Sequence, residues 1–205
     1  MKLLIATRSA GKQREFRRLL QDQPIEVLFP DDAGVLERPD REEALELHDS
    51  FSANARSKAE YFARLTGLPT IADDSGLEVF SLGGLPGVRS KRFAGAEGTP
   101  AQVDQANNAE LLRRLLGAPE ARRRARYRAV LAWVPSPEEA VRIYEGVCTG
   151  RILEQPAGTG GFGYDPLFFV DELGKSLGEA TPEEKDRVSH RAHALRAWLA
   201  DVALS

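Results

Sequence analysis

The chain has almost no cysteine. Cys148 is the single one in 205 residues, which excludes an intrachain disulfide and any multi-cysteine zinc site. Lysine is also scarce: of 28 cationic side chains only six are lysine (Lys2, Lys12, Lys58, Lys91, Lys175, Lys185) and 22 are arginine. No apolar run reaches 18 residues, so no membrane-spanning helix is expected. The opening MKLLIATRSAGK has only five apolar residues before Thr7, too few for a secretory signal. A cytoplasmic protein without a membrane partner is expected. Positive charge is not in excess either, with 28 Lys plus Arg against 31 Asp plus Glu, a net charge of -3 and a pI of about 5.7. That balance argues against a nucleic-acid binder and leaves room for one local phosphate site.

What is present is ordinary globular material, 42% hydrophobic and 29% charged, without repeats or low-complexity linkers. A chain of this length buries roughly 70% of its unfolded surface and needs no staples. One domain over residues 1–205, divided into two lobes, is expected. Residues 3–6 and 25–29 read as strands and 11–21 as a helix. The polar, acidic stretch 30–49 reads as loop. Ser50 caps a helix that ends at Gly67. A strand at 70–72 is expected to end in Asp73-Asp74-Ser75-Gly76, with a new strand at 77–82. A helix over 101–116, paired strands at 125–134 and 141–147 around Pro135-Ser136-Pro137, and a short strand at 152–153 follow. A glycine-rich loop at 158–166 precedes the apolar run 167–170, and 181–205 is helical in pattern. Interleaved strands and helices predict an α/β fold, and the hairpin-like middle predicts a mixed sheet.

Three features imitate known sites. Residues 158–163 fit G-x-G-x-x-G, but a strand-like run follows where a dinucleotide fingerprint requires a helix. Gly174-Lys175-Ser176 resembles the end of a phosphate-binding P-loop, but Phe169 stands where its first glycine belongs. Arg122, Arg124, Arg126 and Arg128 share one strand face, yet no aromatic interleaves there, since Tyr127 points the other way. That face reads as solvated or subunit-facing.

Four segments carry chemistry. Thr7-Arg8-Ser9-Ala10-Gly11-Lys12 joins the first strand to the first helix. It reads as a phosphate site, because hydroxyls, free N–H groups and an ammonium converge on a helix N-terminus, or as a capped helix with a solvated lysine. Asp73-Asp74-Ser75-Gly76 reads as a β-turn or as a magnesium site with a general base, since adjacent carboxylates beside an apolar strand are costly unless paired. Gly160 to Pro166 sets Phe162 and Tyr164 among glycines, suited to stacking on a planar base or to plugging a loop. Lys185 with Ser189-His190-Arg191 offers donors for a base edge, or a polar helix start capped by Thr181 or Ser189. Together they suggest a metal-dependent nucleotide enzyme.

IADDSGLEV, LGGLPGVRSKRFAG, PAGTGGFGYDPLFF and EEKDRVSHRAHAL, in this order, resemble the Ham1/inosine triphosphatase family, and the likeness runs from Thr7 to the last helix. The resemblance implies a long, curved mixed β-sheet dividing two α/β lobes with the active site in the cleft between them. It also implies a homodimer, magnesium, and hydrolysis of inosine, deoxyinosine and xanthosine triphosphates to monophosphate plus pyrophosphate. On that resemblance Thr7, Arg8, Ser9, Ala10, Gly11 and Lys12 form the phosphate loop. Asp74 is general base and metal ligand, and Ser75 is a substrate contact. Phe162, Gly163, Tyr164 and Asp165 stack on the base and hold the ribose. Lys185, His190 and Arg191 surround the phosphates and the six-position oxygen. The family's metal-binding glutamate falls a few residues before Ser50-Phe51-Ser52-Ala53-Asn54-Ala55, which gives Glu46, with Glu43 the alternative. Lys58 is placed with Lys12 and Lys185 at the leaving group. Ser9 stands where the family has asparagine, and Ala53 where it often has glutamate. The competing expectations are a Maf-type pyrophosphatase of modified pyrimidine nucleotides and a non-catalytic nucleotide sensor.

Overall fold

Strand β1 (Lys2–Ile5) begins the fold, and in this computed structural model, which describes residues 1–203, its Leu3, Leu4 and Ile5 are fully buried. Helix α1 (Ala10–Leu19) follows with Phe16 turned inward, then β2 (Glu26–Leu28). The acidic stretch expected to be loop contains a six-residue helix, α2 (Pro39–Ala44), that buries none of its side chains. Helix α3 (Phe51–Thr66) has the limits its sequence announces. Ser50 Oγ accepts the Ala53 N–H at its start, and Gly67 ends it at φ +67°, where a side chain would be strained.

Strand β3 (Thr70–Val79) corrects an expectation, since it runs through Asp73-Asp74-Ser75-Gly76 without turning. Next come α4 (Pro100–Arg114), opened by a Thr99–Gln102 capping box, and two long strands, β4 (Arg124–Val134) and β5 (Arg142–Ile152). The expected separate strand at 152–153 is the end of β5. Strands β6 (Phe168–Val170) and β7 (Lys175–Ser176) complete the sheet. The expected last helix is two, α5 (Pro182–Val188) and α6 (His190–Val202), separated by Ser189 in extended backbone. The helical expectation for residues 204–205 lies outside the described residues.

The seven strands form one open mixed sheet in the order β2-β1-β3-β4-β5-β6-β7. Strand β1 pairs in parallel with both β2 and β3, while β5–β6 and β6–β7 are antiparallel. The chain divides into two compact units. The first takes Met1–Asp74, Ala129–Gly146 and the chain from Ala194 onward, and the second takes Ser75–Arg128 and Val147–His193. Each has its own core. The first is built around Leu3, Ile5, Phe16, Ile71, Leu131 and an edge-on Trp133–Trp198 pair. The second is built around Leu77, Leu111, Tyr127, Leu167 and Phe168. Among the described residues no helix is long and apolar enough to cross a membrane.

Candidate active site

Two buried carboxylates in mid-strand explain why β3 continues. Successive strand side chains point to opposite faces, and each carboxylate meets its own partners. Asp73 Oδ2 pairs with the Lys12 ammonium at 2.6 Å. Asp74 Oδ2 accepts from Asn54 Nδ2 at 2.8 Å, and its Oδ1 lies 3.6 Å from the Lys58 ammonium. Lys58 also donates to the Asp73 carbonyl at 2.8 Å and to Glu46 Oε1 at 2.7 Å. The ion pairs offset the desolvation that would otherwise forbid two carboxylates here. Burial raises the Asp74 pKa above the usual carboxylate range, against the pull of Lys58, Lys12 and Asn54. Burial opposes the Lys58 charge, but Glu46 and Asp74 outweigh it and its pKa is raised.

Glu46 and Glu43 are placed differently. Glu46 shares the Lys58 ammonium with Asp74, whereas Glu43 is exposed. Glu46 and Asp74 thus supply hard oxygen donors of the kind a divalent cation takes. Among the described residues no group of three His, Cys, Asp or Glu side chains could hold a metal on its own. Two carboxylates are the share a protein commonly gives magnesium, whose remaining positions go to water and substrate phosphate.

The Thr7–Lys12 loop leads into α1. Ser9 is the N-cap of α1, its Oγ 3.5 Å from the Lys12 N–H. The Ser9 N–H in turn approaches Thr7 Oγ1 at 3.3 Å. Ala10 and Gly11 form the first turn and add no bulk beside the backbone. Arg8 departs from expectation. Its guanidinium, placed at the substrate by resemblance, forms a fork on Glu42, reaches Asp31 and donates to the Val35 carbonyl.

The second unit carries the aromatic loop. Asp165 Oδ2 accepts the Phe162 N–H at 2.9 Å and pairs with the buried Lys185 ammonium, which lies 4.9 Å from the Phe162 ring centre. A side chain at Gly161 would collide with that carboxylate, its Cβ falling 2.1 Å from Oδ2. Lys185 therefore belongs to the Phe162 loop, whereas Lys12 and Lys58 belong to the carboxylate cluster. Tyr164 is buried and its hydroxyl donates to the Ser90 carbonyl. Ser189 caps α6 by accepting the Ala192 N–H, which sets His190 and Arg191 in its first turn. His190 stacks flat on Tyr127, with centroids 4.7 Å apart and planes 8° apart, and Arg191 donates to Ser75 Oγ at 2.8 Å.

Four residues of these clusters were not singled out as candidates from the sequence. Asp73 belongs to the acidic segment read from the sequence, where the resemblance gives a role to Asp74 alone. Asn54 precedes Lys58 by four helical positions, so the two share a face, a spacing visible in the sequence. Asp104 and Asn108 have the same spacing on α4, and they grip Gly163 from both sides. Asp104 Oδ2 accepts its N–H at 2.7 Å and Asn108 Nδ2 donates to its carbonyl at 3.0 Å. The three imitations have these surroundings. A single 3-10 turn (Asp165–Leu167) and then strand β6, in place of an α-helix, follow the glycine-rich loop, Lys175 is paired with Glu184, and Arg124 and Arg126 are paired with Asp171 and Glu78.

The Ham1 family model matches residues 3–201. The chain belongs to the Ham1 family. A dITP/XTP pyrophosphatase of Geobacillus kaustophilus is 45% identical over 193 residues, covering 94% of this chain and 90% of that one. One from Escherichia coli O157:H7 is 43% identical over 199 residues, covering 97% and 96%. Solved structures agree. A HAM1 protein from Coxiella burnetii superposes with a TM-score of 0.84 at 32% identity over all of both chains. A nucleoside-triphosphatase/dITP/XTP pyrophosphatase from Mycobacterium abscessus gives 0.73 at 41% identity, covering 97% and 99%. Ham1 membership thus extends over both units and both clusters.

Proposed function

We propose that this chain hydrolyses non-standard purine nucleoside triphosphates (ITP, dITP and XTP) to the nucleoside monophosphate and pyrophosphate. The observation that carries the reading is the buried Asp73–Asp74 pair in a continuous strand, compensated by Lys12, Lys58 and Asn54 beside the start of α1. A purely structural strand gains nothing from such a pair, since apolar residues of similar volume would do as well or better. The names of the Ham1 relatives support the substrate class.

Glu46 and Asp74 would hold magnesium, which when bound neutralises phosphate charge and polarises the phosphoryl oxygens. Asp74 orients the attacking water and takes its proton, a role suited to a carboxylate whose pKa burial raises. Lys12 and Lys58 stabilise the departing pyrophosphate as compact point charges. The free N–H groups at the start of α1, with Thr7 and Ser9, bind phosphate oxygens. Phe162 stacks on the base, while Asp165 and Lys185 keep its loop in place. His190 and Arg191 present donors to the six-position oxygen of hypoxanthine or xanthine. Adenine carries an amino donor there, and a site left with unpaired polar groups rejects it by a factor on the order of 10⁴. The working form is a cytoplasmic homodimer, a reading that rests on the family resemblance and is checked by sedimentation.

The test offers ITP, XTP, ATP and a methylated pyrimidine triphosphate with magnesium and identifies products by phosphorus NMR. Monophosphate and pyrophosphate from ITP or XTP are expected. Nucleoside diphosphate with orthophosphate would refute the reaction. Preference for the pyrimidine would favour a Maf-type enzyme, and tight binding without turnover a sensor.

A further inference from the structure

We infer that Arg8 is a positioning residue: it fastens the α2 segment to the phosphate loop and thereby holds Glu46 at Lys58 and Asp74. The inference rests on the reading of Glu46 as a metal ligand given above. Helix α2 is six residues long, buries none of its side chains and has no side-chain N-cap. Such a helix does not persist on its own. Tertiary contacts must therefore hold it, and Arg8 provides a strong set. Its Nε donates to Glu42 Oε2 at 2.7 Å and its Nη2 to Glu42 Oε1 at 2.9 Å, a two-point fork. Nη1 pairs with Asp31 and Nη2 reaches the Val35 carbonyl at 3.2 Å. The pair is well enclosed, with both the Arg8 and Glu42 side chains 17% exposed.

The connection from Glu42 to Glu46 is short and bonded. The Leu45 N–H donates to the Glu42 carbonyl and the Glu46 N–H to the Glu43 carbonyl, so the helical turn runs on to Glu46. Beyond it, the His48 N–H is held by Asn54 Oδ1, the same asparagine that binds Asp74. Glu46 is thus suspended between two fixed points, Arg8 on one side and Asn54 on the other. Arg8 has its donors aimed at protein oxygens and is not a substrate ligand.

The experiment uses the full chain without nucleotide. Arg8→Ala, Arg8→Lys and Glu42→Gln are compared in trypsin cleavage after Arg41, and in Mn²⁺ affinity by electron paramagnetic resonance. Loss of an outer group that orients a metal ligand weakens metal binding about 10- to 100-fold. Arg8→Ala and Glu42→Gln are each expected to weaken Mn²⁺ binding by about tenfold or more and to speed cleavage in the absence of metal. The double variant should be no worse than Arg8→Ala alone, because Glu42→Gln breaks a fork that Arg8→Ala has already removed. Arg8→Lys should fall between wild type and Arg8→Ala. Unchanged cleavage and Mn²⁺ affinity, with a raised KM for ITP at saturating magnesium, would make Arg8 a substrate ligand and overturn the inference. Wild-type protein that takes up no Mn²⁺ would overturn it as well. Wild-type protein that binds Mn²⁺ but leaves ITP intact would refute the proposed activity, while cleavage and Mn²⁺ affinity still decide the role of Arg8.

Discussion

Removing Asp104 tests whether the Phe162 loop is prepared for the base before substrate arrives. Gly163 follows Phe162 directly and is gripped by α4 through its N–H and its carbonyl, by Asp104 at 2.7 Å and Asn108 at 3.0 Å. The Asp104 bond has a charged acceptor, and such bonds are worth about 1.5–3 kcal/mol. In Asp104→Ala that order is lost from the free protein and must be supplied by substrate. At about 1.4 kcal/mol per tenfold, KM for ITP should rise about 10- to 100-fold. Because the loop contacts the base and not the phosphorus, the loss is equal in ground and transition states, and kcat should hold. Asn108→Ala removes an uncharged bond worth about 0.5–1.5 kcal/mol and should raise KM by less. The assay is steady-state pyrophosphate release over a range of ITP concentrations, with the urea midpoint as a control for folding. A KM within twofold of wild type, or a fall in kcat at unchanged KM, would refute the reasoning.

Asp74→Asn should lower kcat by about 10²- to 10⁴-fold, the usual contribution of a general base. Its urea midpoint should hold or rise, because burial already disfavours the Asp74 charge; full turnover would remove Asp74 from the chemistry. Lys58→Arg should cost about tenfold or more in turnover, since the planar fork cannot replace a point charge whose side chain is only 8% exposed and meets Glu46, Asp74 and the Asp73 carbonyl together. Burial pushes the Cys148 thiol up to about 12, so native protein should resist iodoacetamide at pH 8 while urea-unfolded protein is labelled. The thiol's contribution to stability is complete below the unfolded value of about 8.5 and is lost as pH rises toward 12. Rapid labelling of native protein at pH 8 would contradict that burial.

The elements legible in the sequence are those whose causes are local. Ser50 and Gly67 bracket α3 because a cap and a left-handed glycine act within one turn of the helix they end. Ser189 starts α6 in the same way, although the apolar periodicity alone suggested one long helix. The misread elements have distant causes. Asp73-Asp74-Ser75-Gly76 carries good turn chemistry, and it stays extended because Lys12, Asn54 and Lys58 arrive from two helices to satisfy the carboxylates. Helix α2 lacks an apolar stripe and is held by Arg8, 34 positions before Glu42. The chemistry of the clusters was more legible than their wiring. Asp74, Lys12, Phe162 and Arg191 stand out by residue type, whereas Asn54, Asp104 and Asn108 show in the sequence only a four-residue helical spacing, and their targets, Asp74 and Gly163, emerge with α3 and α4 in place.

The surplus of arginine over lysine reflects two kinds of work. Arg113 and Arg114 both close on Glu110, Arg124 and Arg151 share Asp171, Arg126 takes Glu78 and Arg142 takes Asp201. Most of these pairs are exposed and contribute little to stability. A planar guanidinium seated on a carboxylate has its geometry spent there. Lys12, Lys58 and Lys185 differ, with side chains 17%, 8% and 7% exposed and ammonium groups set against buried carboxylates. An ammonium has no plane to keep. Lys58 meets three oxygens on Glu46, Asp74 and the Asp73 backbone at once, whereas the Arg126 guanidinium is seated on Glu78.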